Sequence, residues 1–142
     1  MIVRCISLVA LALLASGLAD AQTSARQARP PAMKAPELKS ALFGIRMEGV
    51  ADGTDFRWSE CIDPEGDTLY RTAEGDMRGR LTITSKGQAC FAYEDDNYAS
   101  ASCFVMRRAP KGFHFEGEYG ANFTTTKVEG GVRTCEKQDL IG

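Results

Sequence analysis

The chain has 142 residues, 44% of them apolar and 25% charged, with a formal net charge of -2 and five cysteines. Those proportions exclude a wholly disordered chain and a polytopic membrane protein, and the length bounds the fold to a single domain of ordinary size. The near-neutral balance lacks the basic face of a dedicated nucleic-acid binder, so no nucleic-acid partner is expected.

The first element is an export signal. Arg4 closes a short basic start, residues 6–14 form an apolar run of signal-peptide length, and Ala19-Asp20-Ala21 fits a small-x-small cleavage site. Cleavage after Ala21 and delivery to the periplasm or the medium follow. Residues 22–40 come next, with Arg26, Arg29, Lys34 and Lys39 against Glu37, and with Pro30, Pro31 and Pro36. This composition predicts an extended, solvated linker, a basic arm suited to weak contact with an anionic membrane surface. Residues 41–142 then form the folded domain.

In that domain, short segments rich in aromatic and β-branched residues alternate with Gly, Pro, Asp and Asn turns. Strands are predicted at 42–50, 56–62, 68–72, 77–85, 88–93, 98–108, 113–119, 123–128 and 132–135. Links this short permit only antiparallel neighbours. The expected fold is all-β: an antiparallel meander closed into a barrel or stacked as a sandwich of about eight strands. Alternation places Phe43, Ile45 and Met47 on one face of the first strand, and Phe56, Trp58 and Ile62 on one face of the second. Leu81 and Ile83 share a face of the fourth, and Phe113, Phe115 and Tyr119 one face of the seventh. The glycines read as turn markers.

Cys5 leaves with the signal, and Cys61, Cys90, Cys103 and Cys135 remain for an oxidising compartment. A hairpin turning at Asp96-Asn97 sets Phe91 opposite Ser102 and Cys90 opposite Cys103, so Cys90–Cys103 is the expected local bridge. Cys61–Cys135 is its complement, tying an early strand to the end of the chain. A metal cluster or reactive dithiol competes poorly, since there is no Cys-x-x-Cys and the sole histidine, His114, is remote from the cysteines in sequence.

Two polar constellations remain. His114, Glu116 and Glu118 alternate along the seventh strand, opposite its aromatic face, as a wet sheet face or as a site. Asp63, Glu65 and Asp67 with Glu74 have a spacing that echoes a calcium loop, but Thr68 stands where the sharp turn needs Gly and Pro64 interrupts the loop. No nucleophile elbow, zinc-protease pair or phosphate-binding loop is present, and no cofactor is expected.

Gly87, Cys90-Phe91, Tyr93 and Cys103-Phe104, following Trp58 and Tyr70, resemble the pattern of short exported β proteins of unknown function from alphaproteobacteria. The plan of a signal followed by a disulfide-stapled β domain is also similar to periplasmic lysozyme- and protease-inhibitor barrels, whose inhibitory loops have no counterpart residues here. The resemblance carries over no catalytic residue. The expected function is a non-catalytic exported binding module for an envelope component or a protein partner. The alternatives are a small hydrolase or metal-dependent enzyme built on His114 and nearby carboxylates, and an inhibitor-like or structural envelope protein.

Overall fold

The computed structural model describes residues 28–136. The signal peptide expected at 1–21 lies outside the described residues, as does the first part of the arm. Among these residues eight antiparallel strands follow one another around a closed barrel: β1 Ile45–Ala51, β2 Arg57–Ile62, β3 Asp67–Thr72, β4 Gly75–Ile83, β5 Gln88–Tyr93, β6 Ser102–Ala109, β7 Gly112–Glu116 and β8 Asn122–Gly130. β8 pairs with β1, so no edge is left open. Between barrel and sandwich, the structure decides for the barrel.

Each strand sends alternate residues inward. Met47, Trp58, Ile62, Leu81, Phe91, Met106 and Phe115 are all buried in one core, as period-two alternation requires. Two expectations about core faces fail at strand ends. Phe56 is 42% exposed, because β2 begins one residue later. Tyr119 is fully exposed, because β7 stops at Glu116 and Tyr119 takes a left-handed conformation (φ 56°) in the turn that follows.

The segment expected as a solvated linker instead docks on the barrel over its described part. Ala35–Leu42 form a helix, α1, with Pro36 in its first turn, Glu37 toward its positive end and Lys39 in its last turn. Leu38 and Leu42, one helical turn apart, are completely buried, and Met33 is 3% exposed. Met33 N–H donates to the Met106 carbonyl at 2.8 Å, and Ala32 bridges Arg107. Only a few apolar residues anchor the segment, so composition hid the docking. Leu42 leads through Gly44 (φ 76°) into the first residue of β1, so α1 closes the end of the barrel where β1 begins and β2 ends. No helix among the described residues is long and apolar enough to cross a membrane.

Both expected disulfides are formed, the state in which cysteines persist in an oxidising compartment. Cys90 stands opposite Cys103 and Phe91 opposite Ser102 in the β5–β6 register. The connection is not a two-residue hairpin, however. A 3-10 turn at Glu94–Asp96 and left-handed Asn97 and Tyr98 replace it. Equal numbers of residues leave each strand, so the register survives. The ninth strand expected at 132–135 is absent. Eight strands already close the sheet, and this tail is held over β2 by Val132 N–H on the Gly44 carbonyl, by Arg71 on the Glu136 carbonyl and by the Cys61–Cys135 bridge. Cys61, Leu69, Cys135 and Val132 form a small second core outside the barrel wall.

Candidate functional site

The end of the barrel opposite α1 carries a cavity of about 170 Å³. Trp58, Phe91, Phe104, Phe115 and Phe123 supply aromatic walls, Met47 lies among them, and Tyr70, Tyr93 and Glu60 add polar groups. Ser102, at the start of β6, also lines it and is solvent-exposed, so the cavity reaches the surface at this end. The rings interlock edge to face: Trp58 on Phe115 at 5.8 Å, Phe104 on Phe115 at 5.8 Å and Phe104 on Phe123 at 5.7 Å between centroids. An eight-stranded barrel has room for its own side chains or for one small ligand. Here the α1 end is filled and the other is not.

Glycines inside strands make this arrangement possible. Gly49 pairs with Trp58 across β1 and β2, and a β-carbon on it would lie 2.4 Å from the indole Cζ2. Gly79 pairs with Tyr93, and a β-carbon there would lie 2.5 Å from the ring. Each glycine is the hollow into which its neighbour's ring settles. These two are therefore not turn markers. The β1–β8 register also shifts between Glu48 and Gly49, re-aiming the strand beside Trp58.

Glu60 is the singular residue of the cavity. It is 3% exposed, on the inward face of β2 between Trp58 and Ile62. Tyr93 donates its hydroxyl to Glu60 Oε2 at 2.9 Å. Among the described residues Glu60 Oε1 has no hydrogen-bond partner, and neither have the buried Trp58 Nε1 and Thr68 Oγ1. Desolvation pushes the Glu60 carboxyl up to about 8, against the opposing pull of the Thr68 and Tyr93 hydroxyls. Thr68 is near enough to act on the charge, yet its hydroxyl completes no hydrogen bond of normal geometry. Tyr70 rises to about 12 through burial first and then the charges of Glu60 and Glu74. The same causes, burial foremost, raise Tyr93. At neutral pH all three hold their protons.

Sequence reasoning missed Glu60, although the signal was there: a carboxylate in phase with Trp58 and Ile62 on a core-facing stripe.

His114 and its neighbours lie on the outer wall. His114 Nε2 is 3.0 Å from Asp52 Oδ2, and Asp52 Oδ1 accepts the Thr124 hydroxyl at 2.8 Å. The hydroxyl therefore meets the carboxylate and not the imidazole, the wrong order for a nucleophile activated by histidine. Glu116 accepts Arg107 Nε at 2.8 Å and pairs with Arg29. Partial burial works against the Glu116 charge, but Arg107 and Arg29 together outweigh it and hold the carboxyl below the usual range. Glu118 does not join this group: it sits exposed in the turn after β7. The result is a charged clasp between arm and barrel, tightened by Arg107 on the Pro30 carbonyl and Arg108 on Glu37.

The acidic loop does not converge either. Asp63 Oδ1 accepts the backbone N–H groups of Glu65 and Asp67, a self-satisfied turn, and Asp67 pairs with Arg80. Glu74 lies beyond the far end of β3, about 20 Å along a six-residue strand. Among the described residues no group of three or more His, Cys, Asp or Glu is placed to hold a metal ion.

No family model, curated protein or solved structure matches the chain.

Proposed function

We propose that the protein is an exported, non-catalytic binding module of the bacterial envelope, and that the barrel cavity is its ligand site. One observation carries the reading. A surface-reaching cavity, walled by aromatic rings, contains a buried carboxyl with an unpartnered oxygen. A buried polar group without a partner costs about 1–3 kcal/mol. A fold whose only task was stability would gain by placing Leu or Gln at position 60. A ligand that pairs with the group recovers that cost, which is how binding sites acquire specificity. The cavity is comparable to those that accept one aromatic ring, so the ligand is small and mostly apolar with one polar head. The two disulfides and the signal-like start support an extracytoplasmic setting.

Trp58 is the sole tryptophan and lines the cavity, so its fluorescence reports occupancy. Titration with single-ring and short branched compounds should shift its emission saturably, and melting curves followed by circular dichroism should rise in parallel. A protein that neither shifts nor gains stability with any such compound overturns the reading.

A further inference from the structure

The proposed function leaves the chemical class of the ligand open, and the cavity and its mouth together narrow it. We propose that the cavity takes a small organic ammonium ion, its cationic head held between aromatic ring faces and the carboxylate of Glu60.

Three features converge on a cation. First, the walls are π faces and edges, chiefly Trp58, Tyr70, Phe91, Tyr93 and Phe104, with Glu60 as the acid among them. Ring quadrupoles attract an ammonium group, most strongly where water is excluded. Second, Glu60 is the natural counter-ion, with Tyr93 O–H already donating to Oε2 and Oε1 unpartnered. A buried carboxylate is costly alone and acceptable once paired. The groups facing Glu60 are Met47 on β1, Thr68 and Tyr70 on β3 and Tyr93 on β5, and among the described residues no Lys, Arg or His lines the cavity. Third, the four connections at the open end, 52–56, 73–74, 94–101 and 117–121, contain no Lys, Arg or His. They carry Asp52, Asp55, Glu74, Glu94, Asp95 and Glu118, with Phe56, Tyr98 and Tyr119 exposed among them. Arg57 and Arg78 stand nearby at exposed, outward-facing strand positions. Such a mouth concentrates cations and repels anions.

Because burial keeps Glu60 protonated at neutral pH, a cation that pairs with the carboxylate must displace that proton to solvent. The proton leaves as the ion pair forms, and charge balances. Affinity therefore rises with pH, by roughly tenfold per unit well below 8 and levelling above it. A neutral ligand accepting a hydrogen bond from the protonated carboxyl shows the opposite trend.

This inference rests on the cavity being the ligand site, and the test separates the two. The probes are 2-hydroxyethyl-trimethylammonium and its uncharged isostere 3,3-dimethylbutan-1-ol, titrated by Trp58 fluorescence and calorimetry from pH 6 to 9. Expected are cation binding at least about tenfold tighter than the isostere at pH 8, affinity rising with pH, and proton release seen in buffers of different ionisation enthalpy. Glu60→Gln should lose most of the cation preference and all of its rise with pH and keep the isostere, whose binding also verifies that the variant is folded. If Glu60→Gln does not fold, the wild-type pH profile decides alone. Equal or tighter binding of the isostere, or affinity that falls with pH, overturns the ammonium assignment while the cavity reading stands. Silence from both probes, and from neutral single-ring compounds, overturns both.

Discussion

Replacing Glu60 by Gln should change how the barrel's stability depends on pH, and the size of the change can be worked from burial. The Glu60 carboxyl is 3% exposed, and desolvation, opposed by the Thr68 and Tyr93 hydroxyls, raises its pKa from 4.5 to about 8. In the unfolded chain the same group ionises near its ordinary value. Between the two values the folded barrel keeps a proton that the unfolded chain has released. The stability tied to this group is complete below about 4.5 and is lost as pH rises through about 8. One pK unit is worth about 1.4 kcal/mol, so the whole swing is at most about 5 kcal/mol. The amide of the Glu60→Gln variant carries no charge at any pH and can still accept the Tyr93 hydroxyl. Groups that titrate in both proteins cancel when the profiles are subtracted. Urea unfolding at pH 5, 6, 7 and 8 should show the wild type losing at least about 2 kcal/mol relative to Glu60→Gln across that range. Parallel profiles would falsify the claim that the carboxyl is held neutral in a dry cavity.

Three further outcomes test other parts of the structure. Cys61→Ala/Cys135→Ala should cost up to about 4.5 kcal/mol, against about 3 for Cys90→Ala/Cys103→Ala, because the first bridge closes 74 residues and the second 13; denaturant midpoints in which the second pair costs more would reverse the ranking. Gly79→Ala places a β-carbon 2.5 Å from Tyr93 and 2.7 Å from Thr68 Oγ1, so it should lower stability by about 1–3 kcal/mol and detach Tyr93 from Glu60; an unchanged melt and unchanged Trp58 emission would count against the packing described. Leu38→Ala should cost about 2–5 kcal/mol, whereas the exposed Lys39→Ala should change stability by less than about 0.5; similar small effects for both would return residues 28–40 to the status of a linker.

Much of the barrel was legible because its determinants are local. Period-two alternation in residues 45–47, 81–83 and 113–115 marks inward faces directly, and connections of two to eight residues force antiparallel neighbours. The Cys90–Cys103 register was recoverable even with the wrong turn type, since pairing depends on the centre of symmetry and not on the loop's conformation. What failed was non-local. The helix of residues 35–42 is specified by Leu38 and Leu42 meeting a barrel end that exists only after the strands close. In isolation eight residues are too few to hold a helix. The tail at 132–135 has strand-like composition but no free edge to pair with.

The candidate site shows a different limit. His114, Glu116 and Glu118 attract notice because titratable residues alternate on a strand, yet the structure gives Glu116 the arm to clasp through Arg29, sets His114 against Asp52 and Glu116, and leaves Glu118 in solvent. Glu60 attracts little notice because one acid between apolar residues reads as an ordinary polar position. Its importance comes from phase, not from identity. Trp58, Glu60 and Ile62 share one face, so any fold that buries Trp58 and Ile62 must also bury Glu60. A carboxyl imposed on an interior by its strand's own periodicity needs a partner there. Tyr93 supplies half of one, lying in the hollow that Gly79 leaves for it. The other half is open at the aromatic end of the barrel. An in-phase charged residue on a core stripe, with a glycine-aromatic pair set against it in the barrel, is thus a readable sign of a polar group buried in a cavity, whereas an outward polar stripe is not.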